Sequence, residues 1–240
     1  MGGHEAGTAT RGIYVTGTDT GVGKTVASCA LLHALRAGGR SAVGMKPVAS
    51  GCERSGGAWR NDDALSLQRA SEPRPGYADV NPYALPLPLA PELAARDAGV
   101  EVRPEPLLAA YARLAARAET VVVEGVGGWA APLAAELMQA DLARALRVPV
   151  LLVVGLRLGC INHAILSARA IAADGLALAG WIASGIDPGM DRADDNMALL
   201  AARLPAPCWG RLPHAPRPDP AALAGCLRLP APWNVPSAGC

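Results

Sequence analysis

The stretch that most constrains this chain is Gly12-Ile13-Tyr14-Val15-Thr16-Gly17-Thr18-Asp19-Thr20-Gly21-Val22-Gly23-Lys24-Thr25. A short apolar run ends in a Gly/Thr-rich turn. The turn closes on Gly-Lys-Thr, and a helical pattern begins at once. That order reads as a strand, a phosphate-binding loop and a helix. Glycines let backbone N–H groups converge on an oxyanion, and the helix N-terminus adds partial positive charge. In such a loop Lys24 reaches the β- and γ-phosphates, and the Thr25 hydroxyl is a candidate Mg²⁺ ligand. The generic spacing G-x-x-x-x-G-K-[ST] wants Gly at position 18, where Thr18 stands; Gly17 comes one residue early. The plain alternative is a Gly-rich turn joining a strand to a helix, but the flanks carry the context the motif demands.

Lysine usage adds a second constraint. All but two of the 22 basic residues are Arg, and the two lysines are Lys24 and Lys46. A compact ammonium differs from a planar guanidinium in size and geometry. Lysines kept at only two positions, both motif-like, suggest that both sites need the ammonium; chance in an Arg-biased chain is the alternative.

The 240 residues suit one medium α/β domain. A hydrophobic content of 51% is too high for disorder. A net charge of +1 gives no electrostatic case for nucleic acid or a membrane surface as partner. The longest apolar run, Val148 to Leu156, is far short of the roughly 20 residues that span a bilayer. The N-terminus shows no basic segment followed by an apolar one, so no signal peptide is expected. Cys29, Cys52, Cys160, Cys208, Cys226 and Cys240 form no CxxC pair and read as core residues or free thiols in a reducing cytoplasm.

Taken in order, residues 1–11 read as a polar leader and Gly12–Thr16 as the first strand. Lys24–Arg36 is helical and stops at Gly38-Gly39. Ser41–Met45 reads as a strand that delivers Lys46-Pro47-Val48-Ala49-Ser50-Gly51 at its carboxyl end, where open α/β sheets gather ligands. Cys52–Arg60 looks like a loop. Asn61-Asp62-Asp63 precedes a capped helix start at Ala64–Arg69; Asp62 reads as capping, and Asp63 is open between capping and function. Residues 72–92 are Pro-rich and read as an ordered extended excursion.

Pro106–Ala118 is an amphipathic helix. Thr120–Glu124 is a buried strand ending in an acid, a candidate Mg²⁺ partner or an ordinary strand-end Glu, followed by Gly125-Val126-Gly127-Gly128. Val148–Gly155 is a doubly buried parallel strand. Asn162 is expected to cap a helix over His163–Ala173, with His163 structural. Leu178–Ala183 is a strand, Asp191–Leu204 a helix, Cys208–Leu212 a last strand, and Ala221–Cys226 a brief helix. Strands alternate with helices without an internal repeat. The expected fold is therefore a single-domain α/β parallel sheet flanked by helices, of P-loop nucleoside triphosphate hydrolase type, over 1–228, with a Pro-rich tail at 229–240.

Five motifs then line up: Gly17-Thr18-Asp19-Thr20-x-Val22-Gly23-Lys24-Thr25, Lys46 to Gly51, Asn61-x-Asp63-Ala64, Val123-Glu124-Gly125-x-Gly127-Gly128-Trp129, and Gly159-Cys160-Ile161-Asn162-His163. Together they resemble the dethiobiotin synthetase family, from about residue 12 to about 215, and the atypical loop resembles that family's own version. The resemblance implies an ATP- and Mg²⁺-dependent ligase of biotin synthesis acting on 7,8-diaminopelargonic acid (7,8-diaminononanoate) and CO₂. One amine is carboxylated to a carbamate, the carbamate is phosphorylated by ATP, and the second amine closes the ureido ring.

It also implies residue roles. Gly21, Val22, Gly23, Lys24, Thr25 and Val26 wrap the phosphates, with Gly125, Val126 and Gly127 nearby. Thr25, Asp63 and Glu124 serve Mg²⁺ and the nucleotide. Lys24 and Lys46 are catalytic. Ser184, Gly185, Pro213, His214 and Ala215 lie toward the base. Ser50 contacts substrate, and Asn162 marks the helix end that binds its distal carboxylate at a homodimer interface.

Three departures stand out. Asn196 stands where some members have a substrate-side Tyr, and the ribose acid is replaced around Asp219-Pro220, so neither role is carried over. Ser184 stands where the family often has Asn. Competing readings are a P-loop switch ATPase of the partitioning type, whose extra early lysine is missing beside Asp19 and Thr20, and a cobyrinic acid amidotransferase, for whose glutaminase domain the chain has no room.

The Ser184 hydroxyl cannot make the paired contacts an amide makes to a base. Loose discrimination among nucleoside triphosphates is therefore expected. Steady-state kinetics with ATP, CTP and GTP check this: comparable kcat/KM values are expected, and strict ATP preference contradicts it.

Overall fold

A computed structural model describes residues 11–233. The leader lies almost wholly outside those residues, as do residues 234–240 of the tail.

The central sheet is built from β1 (Arg11–Gly17), β2 (Ala42–Met45), β3 (Thr120–Gly128), β4 (Val150–Gly155), β5 (Leu178–Ser184) and β6 (Cys208–Leu212). Among the described residues its order is β6-β5-β4-β1-β3-β2. Every pairing in it is parallel. The chain steps from β1 out to β2, returns to β3, and then builds the opposite half. Ligand clefts form where strand order reverses in this way, at the carboxyl ends beside β1.

Helices α1 (Lys24–Ala37), α2 (Asp62–Ala70), α3 (Pro91–Asp97), α4 (Pro104–Ala115), α5 (Gln139–Leu146), α6 (Cys160–Ala173) and α7 (Ala193–Ala201) cover both faces. Alternation along β1 divides the core. Tyr14 joins Val43, Val121, Val123, Leu107, Leu114 and Leu142 on the face under α4 and α5. Ile13 and Val15 join Leu31, Leu35, Leu67, Val122 and Val153 on the face under α1 and α2. β4 is buried along its whole length, as a strand covered on both faces must be.

Several local expectations are corrected. Cys52–Arg60 contains an antiparallel ribbon pairing Glu53–Ser55 with Ala58–Arg60, on which Arg54 stacks over Trp59. The Pro-rich excursion carries a helical turn at Tyr77–Val80 and enters α3 at Pro91. The expected Pro106–Ala118 helix runs Pro104–Ala115, with Pro at the first helical position, where no N–H is missed. Asn162 does not cap α6. The helix starts two residues earlier, and Gly159 at φ 93° turns the chain into it. β3 does not end at Glu124 but runs on to Gly128. The described start of the tail packs back: Trp233 is buried against Trp209, ring centroids 6.1 Å apart.

Candidate active site

The loop after β1 is shaped by two glycines at positive φ, Gly21 at 74° and Gly23 at 83°. Between them Val22 points inward and is buried; its side chain fills the space above Gly17 and Gly155, anchoring the loop on two strands. Asp19 pins the loop from the side. It accepts the Thr20 N–H at 2.7 Å and pairs with Arg157 at 2.5 Å. The Thr20 bond, with help from Arg157 and His163, holds the Asp19 carboxyl below its usual range.

The loop opens on a cleft of about 420 Å³. Gly21, Gly23, Lys24, Thr25 and Val26 form one wall. Lys46 and Ser50 enter from beyond β2, Asn61 and Asp63 from the start of α2, and Glu124, Val126 and Gly127 from β3. Residues far apart in sequence thus meet at one sheet end, as expected for all of these except Asn61, whose lining role is new.

The centre of the cleft is a buried charge cluster. Lys46 Nζ donates to Glu124 Oε1 at 2.5 Å and to Asp63 Oδ2 at 3.0 Å. It also lies 3.5 Å from the Gly125 carbonyl oxygen. The Thr25 hydroxyl donates to the same Glu124 Oε1 at 2.8 Å. Glu124 is fully buried, and its Oε2 has no partner among the described residues. Burial pushes the Lys46 pKa down, but Glu124 and Asp63 outweigh it and raise the pKa. Burial likewise opposes ionisation of Asp63, and the Lys46 charge reverses that. One ammonium thus sits between two carboxyl groups.

Lys24 differs. Its Nζ donates only to the Asp19 carbonyl oxygen, at 2.9 Å, among the bonds described. Burial, with Lys46 nearby, lowers its pKa to about 8.

A second network fixes the cleft rim. Asn81 Nδ2 donates to the Lys46 carbonyl oxygen at 2.7 Å, and Lys46 N–H donates to the Val80 carbonyl at 2.7 Å. Tyr77 Oη links Asn81 to the Asn61 N–H, and Asn61 caps α2 by accepting from Ala64 N–H at 3.2 Å. The cap is thus Asn61, and Asp62 and Asp63 follow in the first turn, near the positive helix end.

The residues expected toward the base do not line that cleft. Ser184 is buried against Gly23, where a Cβ would meet its Oγ at 2.6 Å. Gly185, Pro213 and His214 line a separate cleft of about 570 Å³ with Asp187 and Arg211. Ala215 is half-buried beyond it. Asn162 is exposed in the first turn of α6 and does not line the phosphate-loop cleft. Asp19–Arg157, Tyr77 and Asn81 carried no sequence signal, because each acts through partners distant in the chain or through the backbone.

Among the described residues no group of three His, Cys, Asp or Glu side chains forms a closed metal site. A hydroxyl and two carboxylates at a phosphate-binding loop instead suit a hard cation that keeps waters and shares ligands with a phosphate. The partnerless Glu124 Oε2 fits that role.

A family model described as an AAA domain matches residues 11–222. The ATP-dependent dethiobiotin synthetase of Xanthomonas oryzae pv. oryzae is 66% identical over 217 residues, 90% of this chain and 97% of that protein. The protein of the same name from Xylella fastidiosa is 63% identical over 215 residues, 89% of this chain and 95% of that one. Among solved structures, the signal recognition particle 54 kDa protein of Aeropyrum pernix with GDP matches with a TM-score of 0.53 at 16% identity, over 95% of this chain and 47% of that chain. The MinC:MinD cell division complex of Aquifex aeolicus gives 0.51 at 14%, over 86% and 83%. At such identities these structures speak for the fold alone.

With a pKa near 8, Lys24 sheds its proton as the pH rises past that value, and a bound phosphate would restore it. Affinity for Mg²⁺-ADP is therefore expected to hold below pH 8 and to weaken above it, toward about tenfold per pH unit. Calorimetric titrations across pH 6.5 to 9.5, a range set on the order of one to two units either side of that pKa, check this. Constant affinity contradicts the assignment.

Proposed function

The chain belongs to the dethiobiotin synthetase family, and from that premise we propose that it converts 7,8-diaminopelargonic acid, CO₂ and ATP to dethiobiotin, ADP and phosphate. The observation that carries the reading is the meeting of both lysines with Thr25, Asp63 and Glu124 at the mouth of one phosphate-binding loop.

The chemistry asks little covalent work of the protein. One substrate amine takes up CO₂ as a carbamate. A carbamate oxygen attacks the γ-phosphorus, and ADP leaves. The second amine attacks the carbonyl carbon of the carbamic-phosphoric anhydride, the ring closes, phosphate departs and protons pass to solvent. The nucleophiles belong to the substrate, so catalysis is positioning and charge neutralisation.

This chain's groups suit those tasks. Gly21, Val22, Gly23 and Val26 offer backbone N–H groups to the phosphates, and Lys24 offers a point charge. Thr25, Asp63 and Glu124 would hold Mg²⁺, which when bound neutralises charge on the transferring phosphate. Lys46 already lies on two of those carboxylates. Sharing them with a metal would free the ammonium to meet the carbamate and the phosphoryl group. Ser50, on the cleft wall, would contact the diamine.

The outer parts follow by the same reading. The cleft of Gly185, Pro213 and His214, with Ser184 and Ala215, would take the base. The first turn of α6, with Asn162, and the turn before it, with the 95% exposed Leu158, would face a second copy, whose presence would complete the site for the substrate carboxylate in a homodimer. No helix among the described residues is long and apolar enough to cross a membrane, which fits a cytoplasmic reaction of small, soluble substrates.

A coupled assay tests the proposal. Purified protein is mixed with the diamine, bicarbonate, Mg²⁺ and ATP, and both ADP and dethiobiotin are followed. Equal formation of the two, dependent on the diamine, is expected. Lys46→Ala should lower product formation by at least about a hundredfold in protein that still binds nucleotide. ATP hydrolysis indifferent to the diamine would contradict the synthetase reading and favour a switch ATPase of the partitioning type.

A further inference from the structure

The pairing of β1 with β3 breaks register beside the cleft. Val15 faces Glu124 and Gly17 faces Gly128, so Gly125, Val126 and Gly127 bulge where β1 supplies Thr16 alone. A bulge leaves backbone groups without ladder partners, and these need other partners when buried. One side chain supplies them. Gln139, the first residue of α5, is fully buried. Its Oε1 accepts the Val126 N–H at 2.7 Å. Its Nε2 donates to the Gly128 carbonyl oxygen at 2.8 Å and lies 3.4 Å from Thr16 Oγ1.

Gly125 reports the same fit. A Cβ at that position would lie 2.0 Å from Gln139 Oε1, so the amide fills the space a side chain would need. The braced residues flank the functional groups. Glu124 precedes the bulge, Gly125 gives its carbonyl to Lys46, and Val126 and Gly127 line the cleft.

We propose that Gln139 is a positioning residue: its buried amide braces the β3 bulge, and so sets the Glu124 carboxylate and the cleft wall for the metal-bound nucleotide. The inference rests on reading the cleft as the Mg²⁺-nucleotide site. It requires one group that accepts and donates at once. Gln does both; Met cannot donate and accepts only weakly; Glu does both only while protonated.

The test is calorimetric binding of ADP, with and without Mg²⁺, to the full chain and to Gln139→Met and Gln139→Glu. Gln139→Met is expected to bind Mg²⁺-ADP about ten- to a hundredfold more weakly, with a smaller loss for ADP alone, because Glu124 serves the metal. Burial at this fully enclosed position holds a new carboxyl above the ordinary glutamate range, so Gln139→Glu should bind nearly as the unsubstituted chain at about pH 5.5 and lose affinity relative to it as the carboxyl ionises at higher pH. That profile separates bracing from a fold defect and stands even if Gln139→Met fails to fold. Unchanged Mg²⁺-ADP affinity in Gln139→Met overturns the inference, as does an equal loss with and without Mg²⁺. A pH-independent Gln139→Glu also overturns it. An unsubstituted chain that binds no nucleotide overturns the site reading, and the inference with it.

Discussion

Everything in the site depends on a buried ammonium and a buried carboxylate meeting across two neighbouring strands. β2 and β3 run in parallel with Met45 opposite Val123, so the next residues, Lys46 and Glu124, are delivered side by side. Glu124 is wholly inaccessible and Lys46 nearly so. Neither charge could stay buried without the other. Thr25 and Asp63 complete the set: Thr25, at the start of α1, donates to Glu124, and Asp63, at the start of α2, accepts from Lys46. The arrangement keeps cation and carboxylates ordered at the point where a phosphate loop delivers charge.

The fold serves this meeting. Sheet order places β1 between β3 and β4, so the loop after β1 sits at the reversal point with walls on either side. Val22 wedges the loop onto Gly17 and Gly155, and Asp19 is held by Arg157 from the turn after β4. The backbone there is pre-set for an anion. Lys24, less well compensated than Lys46, is the group whose charge responds to the solution.

What was legible in the sequence is what is local. The strand–loop–helix unit announces itself because its glycines and its lysine serve their own neighbours. Lys46 stood out because the chain otherwise uses Arg. The fully apolar run of β4 admits only a doubly covered strand. What was not legible depends on tertiary contact. Glu124 read as a strand end, since nothing nearby tells that Gln139 props the chain onward to Gly128. Asn162 is a good helix cap by type, but Gly159 makes the turn first. Asp19 and Arg157 are 138 residues apart, and the Tyr77–Asn81 brace acts through backbone atoms that carry no residue signature.

The central claim is that Lys46 and Glu124 act as one unit. A double-mutant cycle in urea tests it most directly, using Lys46→Met, Glu124→Gln and the pair together. Lys46→Met should cost about 3–5 kcal/mol by stranding the buried Glu124 carboxylate, Glu124→Gln should cost less because Asp63 still pairs with Lys46, and the double change should cost clearly less than the sum. Additive losses would contradict the account, because they would mean that the two charges are stabilised separately.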